Sequence, residues 1–290
     1  MPGEQPVVAV VIPTRNRAGY LGVALRSIAE QRLDAPYEVM VADDGSDDHT
    51  AAMARSAGAG YVSLAGHRGT NAARNAGIRA TKAPLVALVD DDVEAPPGWL
   101  DAVVAGARRH AEADAFAAPI RARLEGTAPR GCGREAPPIT TLDLGGEDRE
   151  ADMAWSANMA LRRSAFERVG PFDETLLGAG EEEDWIERLR ADGGRVVYLA
   201  AAGLDHRREP GDARLGPLMR SAYRRGRAVR SWDRRRDTAP PLGAELRTLA
   251  GTAWHTLRRR CALGLVMGAH SAGRLAEAVR PGAAGHTPGP

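Results

Sequence analysis

Cysteine, lysine and long apolar runs are all scarce in this 290-residue sequence. Its two cysteines, Cys132 and Cys261, lie far apart and show no metal-ligand spacing, which predicts a reducing compartment, no dependence on disulfides and no special role for Cys132. The longest uncharged apolar segment near the C-terminus, residues 261–273, is too short to cross a bilayer. Because the polar first residues lead directly into a predicted strand, we expect no signal peptide and a cytoplasmic location. The single lysine among many arginines and alanines is typical of a high-GC bacterial source.

The net charge of +1 conceals two halves of opposite sign. Residues 1–205 carry 22 basic and 32 acidic side chains (22 − 32 = −10), whereas residues 206–290 carry 17 and 6 (17 − 6 = +11). Eleven arginines fall between positions 207 and 236. They form either a solvated helix docked on an acidic domain, or a surface for a nucleotide diphosphate, an anionic acceptor or an anionic membrane. No recognised nucleic-acid-binding fold accompanies this charge, so we expect no nucleic acid partner.

The first hundred residues alternate between apolar strands, polar loops and helical spacing. Runs at 7–12, 37–42, 60–64 and 85–89 predict strands, of which that at 60–64 is the weakest. The continuous β-branched run at 7–12 predicts a strand that is covered on both faces. Polar clusters follow three of them, at 13–17, 43–48 and 90–92. This alternation predicts an α/β protein with a parallel sheet, in which ligands collect at the carboxyl ends of the strands. The three clusters are therefore expected to converge on one crevice.

The most informative cluster is Asp90-Asp91-Asp92, which ends the fourth strand. Three like charges at one strand end are costly unless a cation balances them, and carboxylate oxygens suit Mg²⁺ or Mn²⁺. Such ions commonly bridge a protein carboxylate to a substrate diphosphate. A solvated turn would explain this run equally well if it stood alone.

Several ordered motifs together resemble family 2 glycosyltransferases with the GT-A fold. They are Val-Val-Ile-Pro-Thr-Arg-Asn-Arg (10–17), Val-Ala-Asp-Asp-Gly-Ser (41–46), Ala-Ala-Arg-Asn-Ala-Gly-Ile (72–78), Val-Asp-Asp-Asp-Val (89–93), Trp-Ser-Ala-Asn (155–158), Val-Gly-Pro-Phe-Asp-Glu (169–174) and Glu-Glu-Glu-Asp-Trp (181–185). A further strand at 196–199 leads to His206, and the likeness covers roughly residues 6–207. Phosphate-binding loops of the G-x-x-x-x-G-K-[ST] and G-x-G-x-x-G types do not occur in the sequence, nor does the G-G-x-G-T-R-L loop of sugar nucleotidyltransferases.

The resemblance implies a mostly parallel central sheet with flanking helices over residues 1–210, with a nucleotide-binding half at 1–95 and an acceptor-binding half at 96–210. A basic helical extension (211–280) and a disordered tail (281–290) are expected to follow. It also implies an inverting, metal-dependent glycosyltransferase that uses a nucleoside diphosphate sugar. Asp90 and Asp92, with Asp91 between them, would hold Mn²⁺ or Mg²⁺ on the donor diphosphate, and His206 would be a further metal ligand.

The same resemblance assigns the remaining site residues. Donor and nucleotide contacts are expected from Pro13, Thr14, Arg15, Asp44, Arg74, Asp90 and Asp91, with a UDP-sugar as the favoured donor although another base could bind Asp44. Asp184 would be the general base at the start of a helix, with Glu183 as the fallback because the run of four acids leaves the register open. Sugar and acceptor contacts are expected from Trp155, Asn158 and Trp185, although Trp155 would fit a buried core equally well.

Substrates and partners are less constrained. The acceptor could be a glycan, a lipid carrier or a small metabolite, and the C-terminal extension could cap the domain, form a homodimer or make peripheral contact with the inner face of a membrane. Residues 124–150, which are rich in glycine, proline and charge, predict a long loop that closes over the donor. The competing functions are a non-catalytic nucleotide-binding GT-A domain and a nucleotidyltransferase that releases pyrophosphate.

Overall fold

The computed structural model describes residues 5–127, 129–133, 135 and 138–280; the predicted tail at 281–290 lies outside these ranges. The strands are β1 (Val8–Thr14), β2 (Tyr37–Asp43), β3 (Gly60–Ser63), β4 (Leu85–Leu88), β5 (Val93–Glu94), β6 (Ala115–Ala117), β7 (Ile120–Leu124), β8 (Arg149–Glu150), β9 (Met159–Arg162), β10 (Val196–Tyr198) and β11 (Leu204–Arg208). The helices are α1 (Ala18–Ala29), α2 (Thr50–Ser56), α3 (Thr70–Ala80), α4 (Trp99–Arg109), α5 (Arg163–Val169), α6 (Glu181–Ala191), α7 (Leu215–Arg235), α8 (Leu242–Arg259) and α9 (Ala262–Ala278).

The chain divides into two compact units. The N-terminal unit comprises the residues up to Leu124 together with Ile139–Arg208, and the C-terminal unit comprises Glu125–Pro138 and the residues from Glu209 onward. The division of residues 1–210 into a nucleotide-binding half and an acceptor-binding half stays a prediction. The assignment of residues 125–138 to the C-terminal unit was not predicted, because nothing in a local sequence pattern links a loop to helices that follow it by a hundred residues.

The main sheet of the N-terminal unit has the strand order β3-β2-β1-β4-β9-β6-β10-β8. Strands β1 to β4 are parallel to one another, as the strand–loop–helix alternation predicts. Antiparallel pairing enters at β9, which lies between β4 and β6, and at the two-residue edge strand β8. The carboxyl ends of β1, β2 and β4 consequently share one edge, where the predicted polar clusters lie.

Apolar side chains cover both faces of this sheet. Val8, Val10 and Ile12 of β1 contribute to a core cluster on one face, whereas Val11 contributes to a second cluster on the other face, with Ile78 of α3. Helix α3 approaches the sheet closely at Gly77, where a Cβ atom would lie 2.5 Å from the Val11 Cγ1 atom. Burial on both faces explains why β1 reads as a continuous apolar run rather than an alternating one.

A second sheet, with the strand order β5-β11-β7, positions His206, the last of the predicted site residues. Strand β5 begins directly after the three aspartates, and it pairs antiparallel with β11, so that Val93 lies opposite His206. A histidine more than a hundred residues away in sequence is thereby brought beside the aspartate turn.

Helices α7, α8 and α9 form the bulk of the C-terminal unit. Helices α7 and α9 pack backbone to backbone where Gly226 faces the His270 carbonyl and Gly273 faces the Tyr223 carbonyl. Arginines of this unit pair with its few acidic residues: Arg230 and Arg274 lie 3.2 and 2.8 Å from Glu245, and Arg227 lies 2.9 Å from Glu277. Part of the arginine run is therefore used in internal ion pairs. Within the described part of the chain, the helices lack the length and apolar character needed to cross a membrane.

Cys132 was expected to be incidental, and the structure gives it three polar neighbours. Cys132 and Cys261 lie together in the C-terminal unit, in a cluster with Glu135 and His255. A spacing rule does not find this group, because each pair of neighbouring ligand-type residues contains only one cysteine and 120 residues (255 − 135 = 120) separate the two pairs.

Candidate functional site

The three aspartates form the turn between β4 and β5. The pairing of β4 with β1 extends through the Val89 N–H, which donates to the Val11 carbonyl at 3.2 Å. The Asp92 carbonyl then accepts from the Arg207 N–H of β11 at 2.8 Å. Neighbouring strands therefore fix the turn on both sides, and Asp91 and Asp92 are buried rather than solvated, which argues against the alternative of a free surface turn.

Arg17 and Thr14, from the end of β1 and the following turn, hold two of these carboxylates. The Arg17 guanidinium donates to Asp91 at 2.6 Å and to Asp92 at 2.8 Å, and the Thr14 hydroxyl donates to Asp91 at 2.7 Å. Burial raises the pKa of Asp91 to about 7, with Arg17 opposing and Asp92 adding to the shift. Burial and the neighbouring charge of Asp92 also raise the pKa of Asp90. The turn is thus crowded with negative charge that Arg17 balances only in part.

Asp92 is the most strongly compensated carboxylate. Burial acts to raise its pKa, but His206, Arg17 and Arg208 outweigh that effect and hold the pKa well below its usual range. The Arg208 guanidinium forms an ion pair with Asp92. The His206 ring lies 3.0 Å from the other carboxylate oxygen, and although burial lowers the pKa of His206, the contact with Asp92 raises it overall. Asp92 is therefore ionised in a nearly solvent-free position.

Asp90, Asp92 and His206 fit a divalent cation. One ligand atom from each of these side chains falls within 4.8 Å of the others. The His206 Nδ1 atom lies 3.1 Å from the Thr140 carbonyl, so a neutral ring with its proton on Nδ1 donates there and turns the Nε2 lone pair toward Asp92. The facing Asp92 Oδ1 atom is buried and accepts no hydrogen bond from such a ring. Two lone-pair donors that face each other need either a proton or a metal ion between them, and the set of two carboxylates and one imidazole suits Mn²⁺ or Mg²⁺.

Arg74 of α3 is buried beside the aspartates and links them to α6. Its Nη2 atom lies 3.9 Å from Asp90 and 3.1 Å from Glu182, and the same group bonds the Ser156 hydroxyl. The Ser156 hydroxyl donates to Glu182 at 2.5 Å. Burial acts to raise the pKa of Glu182, but Arg74 and Ser156 lower it overall. The carboxylate of α6 that faces the aspartate turn is therefore that of Glu182.

Asp184, the predicted base, is held in an ion pair on its own helix, and its catalytic role stays a prediction. Asp184 pairs with Arg188, one turn along the same helix, at 2.9 Å, and Arg188 is held by the carbonyls of Val169 and Pro171. Residues two apart on a helix lie on different faces, so Asp184 and Glu182 point in different directions. The fallback, Glu183, is half-buried between them. Of the four consecutive acids, the second, Glu182, faces the site, whereas the last, Asp184, does not.

The predicted nucleotide residues lie at the expected ends of β1 and β2. Pro13 and Thr14 are buried at the end of β1, and Arg15 is exposed beside them. Asp44 is buried, and its carboxylate accepts from the backbone N–H groups of Arg68 and Gly69 at 2.6 and 3.0 Å and contacts the His67 ring at 2.5 Å. Asp44 therefore anchors the loop that leads into α3, and its contact with a nucleotide base stays a prediction.

The three predicted acceptor residues differ in environment. The Trp155 ring is half-buried, so it is not a core residue. The Asn158 side chain is buried and bonded to the Trp99 indole and to the Pro119 and Ala202 carbonyls. Trp185 is fully buried against the Phe172 ring at 5.4 Å and donates to the Gly170 carbonyl. The predicted acceptor contact of Trp185 is wrong. Trp185 is a core residue, because its side of α6 packs against the interior of the N-terminal unit.

Sequence reasoning missed four polar residues of the site: Arg17, Ser156, Glu182 and Arg208. Arg17 stood within a quoted motif but had no predicted role, and Ser156 lay between the two residues that drew attention. Arg208 follows His206 by two positions, which on a strand places both side chains on the same face. That period-2 relation was the available signal for Arg208.

A family comparison decides what this geometry belongs to. The family model for glycosyl transferase family 2 matches residues 9–170, which include the strand ends, the aspartate turn and Ser156. The chain belongs to glycosyl transferase family 2. The resemblance read from the ordered motifs is thereby confirmed.

Named relatives extend over more of the chain. It is 31% identical over 229 residues to validoxylamine A glucosyltransferase of Streptomyces hygroscopicus, covering 67% of this chain and 54% of that protein. It is 32% identical over 254 residues to pre-mycofactocin glycosyltransferase of Mycobacterium tuberculosis, covering 81% of this chain and 49% of that protein. The chain therefore spans about half the length of these two relatives.

The fold is similar to that of a solved mannosyltransferase of Pyrobaculum calidifontis in complex with GDP-Man and Mn²⁺. The TM-score is 0.62 at 19% identity, and the match covers 94% of this chain and 88% of the other. The predicted GT-A fold with its helical C-terminal extension is confirmed.

Proposed function

We propose that this chain is an inverting, metal-dependent glycosyltransferase that moves a sugar from a nucleoside diphosphate to an acceptor hydroxyl. The observation that carries the proposal is the convergence of Asp90, Asp92 and His206 beside Arg74. A cation held there would neutralise the charge of the departing diphosphate. Supporting it, the mannosyltransferase with the similar fold was solved with GDP-Man and Mn²⁺. The choice between Mn²⁺ and Mg²⁺ is left to the experiment.

The donor would lie across the carboxyl ends of β1, β2 and β4. Pro13, Thr14 and Arg15 would contact the nucleoside, and Arg74 would contact the diphosphate. A UDP-sugar is the first donor to test, and GDP-sugars are the second. Arg17 and Arg208 would hold the aspartates in place while the donor binds, because both already pair with Asp92.

We infer that Glu182 is the general base. A diphosphate that draws Arg74 away would remove the charge that lowers the pKa of Glu182, and burial would then raise it. The carboxylate would thus become more basic as the donor binds. It would take the acceptor proton while the acceptor oxygen bonds to the anomeric carbon, and the bond to the diphosphate would break with its electron pair going to the phosphate oxygen.

The acceptor is proposed to be a small metabolite that carries a hydroxyl group. The two relatives named above are, by name, transferases to validoxylamine A and pre-mycofactocin. A glycan or a lipid carrier offers the same hydroxyl chemistry and is the next class to test. We propose Trp155, whose ring is half-buried, as the acceptor-contacting residue.

Calorimetric titration of the protein with a panel of nucleoside diphosphates, with Mn²⁺ or Mg²⁺ and then with chelator, tests the proposal. We expect one nucleotide to bind in a metal-dependent manner, with binding lost in Asp92→Ala and kept in Glu182→Gln. Turnover should then release a nucleoside diphosphate. Release of pyrophosphate would indicate nucleotidyl transfer, binding without turnover would indicate a non-catalytic domain, and the absence of any binding would overturn the nucleotide-sugar proposal.

A further inference from the structure

A second group of ligand-type side chains lies entirely within the C-terminal unit. Cys132 and Glu135 come from the 125–138 loop, His255 comes from α8, and Cys261 lies directly before α9. One ligand atom from each side chain lies within 4.8 Å of the other three. These are the only two cysteines of the chain, and neither α8 nor α9 is close to the loop in sequence.

The backbone holds this group in place. The Arg130 carbonyl accepts from the N–H groups of Ala262 and Leu263, at 2.8 and 3.3 Å, so the loop is attached to the first turn of α9. Arg260 adopts a left-handed conformation (φ 49°) that ends α8 and turns the chain into Cys261. The Cys261 Sγ atom then accepts from the Gly264 N–H at 3.3 Å.

The side-chain atoms converge on one carboxylate oxygen. Glu135 Oε1 lies 2.9 Å from Cys132 Sγ, 2.6 Å from Cys261 Sγ and 3.0 Å from His255 Nε2. The second Glu135 oxygen accepts from the N–H groups of Cys132 and Gly133 at 3.0 and 3.1 Å. Sulfur is larger than nitrogen, yet both Sγ contacts are as short as an ordinary N–H···O bond. Four potential ligands that crowd onto one point are arranged as around a shared centre.

The chemical composition of this group selects the ion. Two thiolates, one imidazole and one carboxylate are ligand types that zinc accepts in four-coordinate sites. The oxygen-rich set of Asp90, Asp92 and His206 suits a harder ion, so the two groups of the chain differ in preference. Calcium and magnesium are disfavoured here because two of the four ligands are sulfur.

We propose that Cys132, Glu135, His255 and Cys261 bind a structural zinc ion. Zinc bonds of about 2.0 Å to nitrogen and oxygen and about 2.3 Å to sulfur place neighbouring ligand atoms roughly 3.3–3.8 Å apart in a tetrahedron. Cys132 Sγ and His255 Nε2 are already 3.5 Å apart. For the other distances to reach these values, the Glu135 carboxylate has to move away from the two Sγ atoms and the His255 ring by less than its own width.

Four protein ligands close the coordination shell, so the ion has no open position for a substrate. Its effect is to cross-link the 125–138 loop to α8 and α9. A loop that carries two glycines around its cysteine, Gly131 and Gly133, gains a fixed conformation from such a link.

The first test is the metal content of the 290-residue protein, purified without chelator and measured by elemental mass spectrometry. We expect about one zinc ion per chain to survive dialysis. The double variant Cys132→Ser/Cys261→Ser should lose it, and Asp90→Asn/Asp92→Asn should keep it, which separates this site from the proposed donor site. His255→Ala should lower the zinc content, because it removes a proposed ligand. The matched control is His270→Ala, which changes a half-buried histidine of the same unit and should leave the zinc content unchanged.

A second measurement on the unaltered protein guards against variants that fail to fold. Zinc should protect both thiols from a thiol reagent until a strong chelator is added, and cobalt in place of zinc should give a thiolate-to-metal charge-transfer band. Freely reactive thiols in zinc-loaded protein, a disulfide between the two cysteines, or equal zinc content in the double variant would each overturn the proposal. None of these readouts depends on glycosyl transfer.

Discussion

At the scale of single residues, the site is organised by how charge is balanced around Asp92. His206, Arg17 and Arg208 all contact its carboxylate, whereas of these three residues only Arg17 contacts the neighbouring Asp91. This difference explains why the pKa of Asp92 is far below its usual range while that of Asp91 is raised to about 7. Two adjacent carboxylates of the same type therefore have opposite protonation preferences.

The choice of base is testable with two variants of α6. Glu182→Gln should lower kcat by about 10²- to 10⁴-fold, because the proton of the acceptor hydroxyl loses its recipient. Asp184→Asn is the matched control and should retain activity within a fewfold range. Steady-state rates, with donor affinity measured separately by calorimetry, distinguish the two. A large loss in Asp184→Asn with little loss in Glu182→Gln would restore the register that the sequence first indicated.

Asp148 gives a prediction for stability against pH. Its carboxylate accepts from Arg109, His110 and the Ala200 N–H at 2.8, 3.1 and 2.9 Å. Burial acts to raise the pKa of Asp148, but these hydrogen bonds lower it overall. The contribution of Asp148 to the free energy of unfolding is therefore present above the ordinary Asp pKa of about 4 and is lost as the pH falls through the lower pKa of the folded state. Asp148→Asn should cost about 1 kcal/mol at pH 7, a figure reduced for solvent screening.

Urea unfolding at pH 7 and again near pH ~3.5 measures this effect. The difference between Asp148→Asn and the unaltered protein should shrink at the lower pH. The control is Asp152→Asn, whose ion pair with Arg190 involves a side chain that is 90% exposed and should be worth little. A penalty for Asp148→Asn that is constant over this range would show that the carboxylate charge is not the cause.

The sequence predicted residues whose role follows from a strand end, and missed those whose role follows from a face. Asp90, Asp92 and Thr14 each end an apolar run, so the topology placed them together. His206 was found only through the family resemblance. Glu182 could not be chosen among four consecutive acids, because which one faces Arg74 depends on the rotation of α6.

At the scale of elements, the crossing of α7 and α9 depends on two glycines. A Cβ at Gly226 would overlap the His270 carbonyl, and a Cβ at Gly273 would overlap the Tyr223 carbonyl. Both obstacles are backbone atoms, which cannot rotate away, so either helix would have to move. The contact is reciprocal, since each glycine meets the backbone of the other helix.

We expect Gly226→Ala and Gly273→Ala each to destabilise the C-terminal unit by about 1–3 kcal/mol. The control is Gly251→Ala in α8, where the added methyl group meets open space and the gain in helix propensity is up to about 1 kcal/mol. Thermal unfolding followed by circular dichroism compares the three. Equal midpoints for Gly226→Ala and Gly251→Ala would mean that the helices are not in backbone contact.

Elements with strong local patterns agree with prediction, and the two-residue strands were not predicted. The run at 7–12 and the helix that follows it correspond to β1 and α1. Strands β5 and β8 have only two residues each, and they exist because distant partners pair with them. Such pairing is a property of the fold, so a local pattern does not reveal it.

At the scale of the whole molecule, the acidic and basic halves of the sequence correspond closely to the two units. Internal ion pairs use part of the basic charge, through Glu245 and Glu277. Helix α8 also exposes large apolar side chains, among them Trp254 and Leu257, which are 65% and 77% exposed. An exposed apolar stripe beside Arg258 and Arg259 is typical of helices that lie on an anionic membrane surface.

We propose peripheral membrane contact through α8, and vesicle co-sedimentation tests it. Binding to vesicles with anionic phosphatidylglycerol should exceed binding to neutral phosphatidylcholine vesicles and fall with salt. Trp254→Ser/Leu257→Ser should weaken it by about tenfold or more, given about 1.5–3 kcal/mol per buried large apolar side chain. The control is Leu177→Ser, which removes a leucine in the N-terminal unit that is 61% exposed.

Light scattering on the same samples completes the experiment. A dimer that depends on Trp254 and Leu257, with no vesicle binding, would contradict membrane contact and assign the stripe to self-association. That outcome would leave the proposed activity of the N-terminal unit untouched, because the donor residues lie elsewhere in the chain.

The C-terminal unit is discontinuous in sequence, and this has a consequence for synthesis. Cys132 leaves the ribosome 129 residues before Cys261 (261 − 132 = 129). At about 5–20 residues per second, the loop would wait roughly 6–26 seconds for its helical partners. During that interval synthesis of the N-terminal unit is completed at Arg208. The 125–138 segment has already been made by then, but the helices of its own unit have not. A nascent chain that stalls or ends near position 208 would therefore present residues 125–138 as an unpaired segment to the proteases and chaperones of the cell.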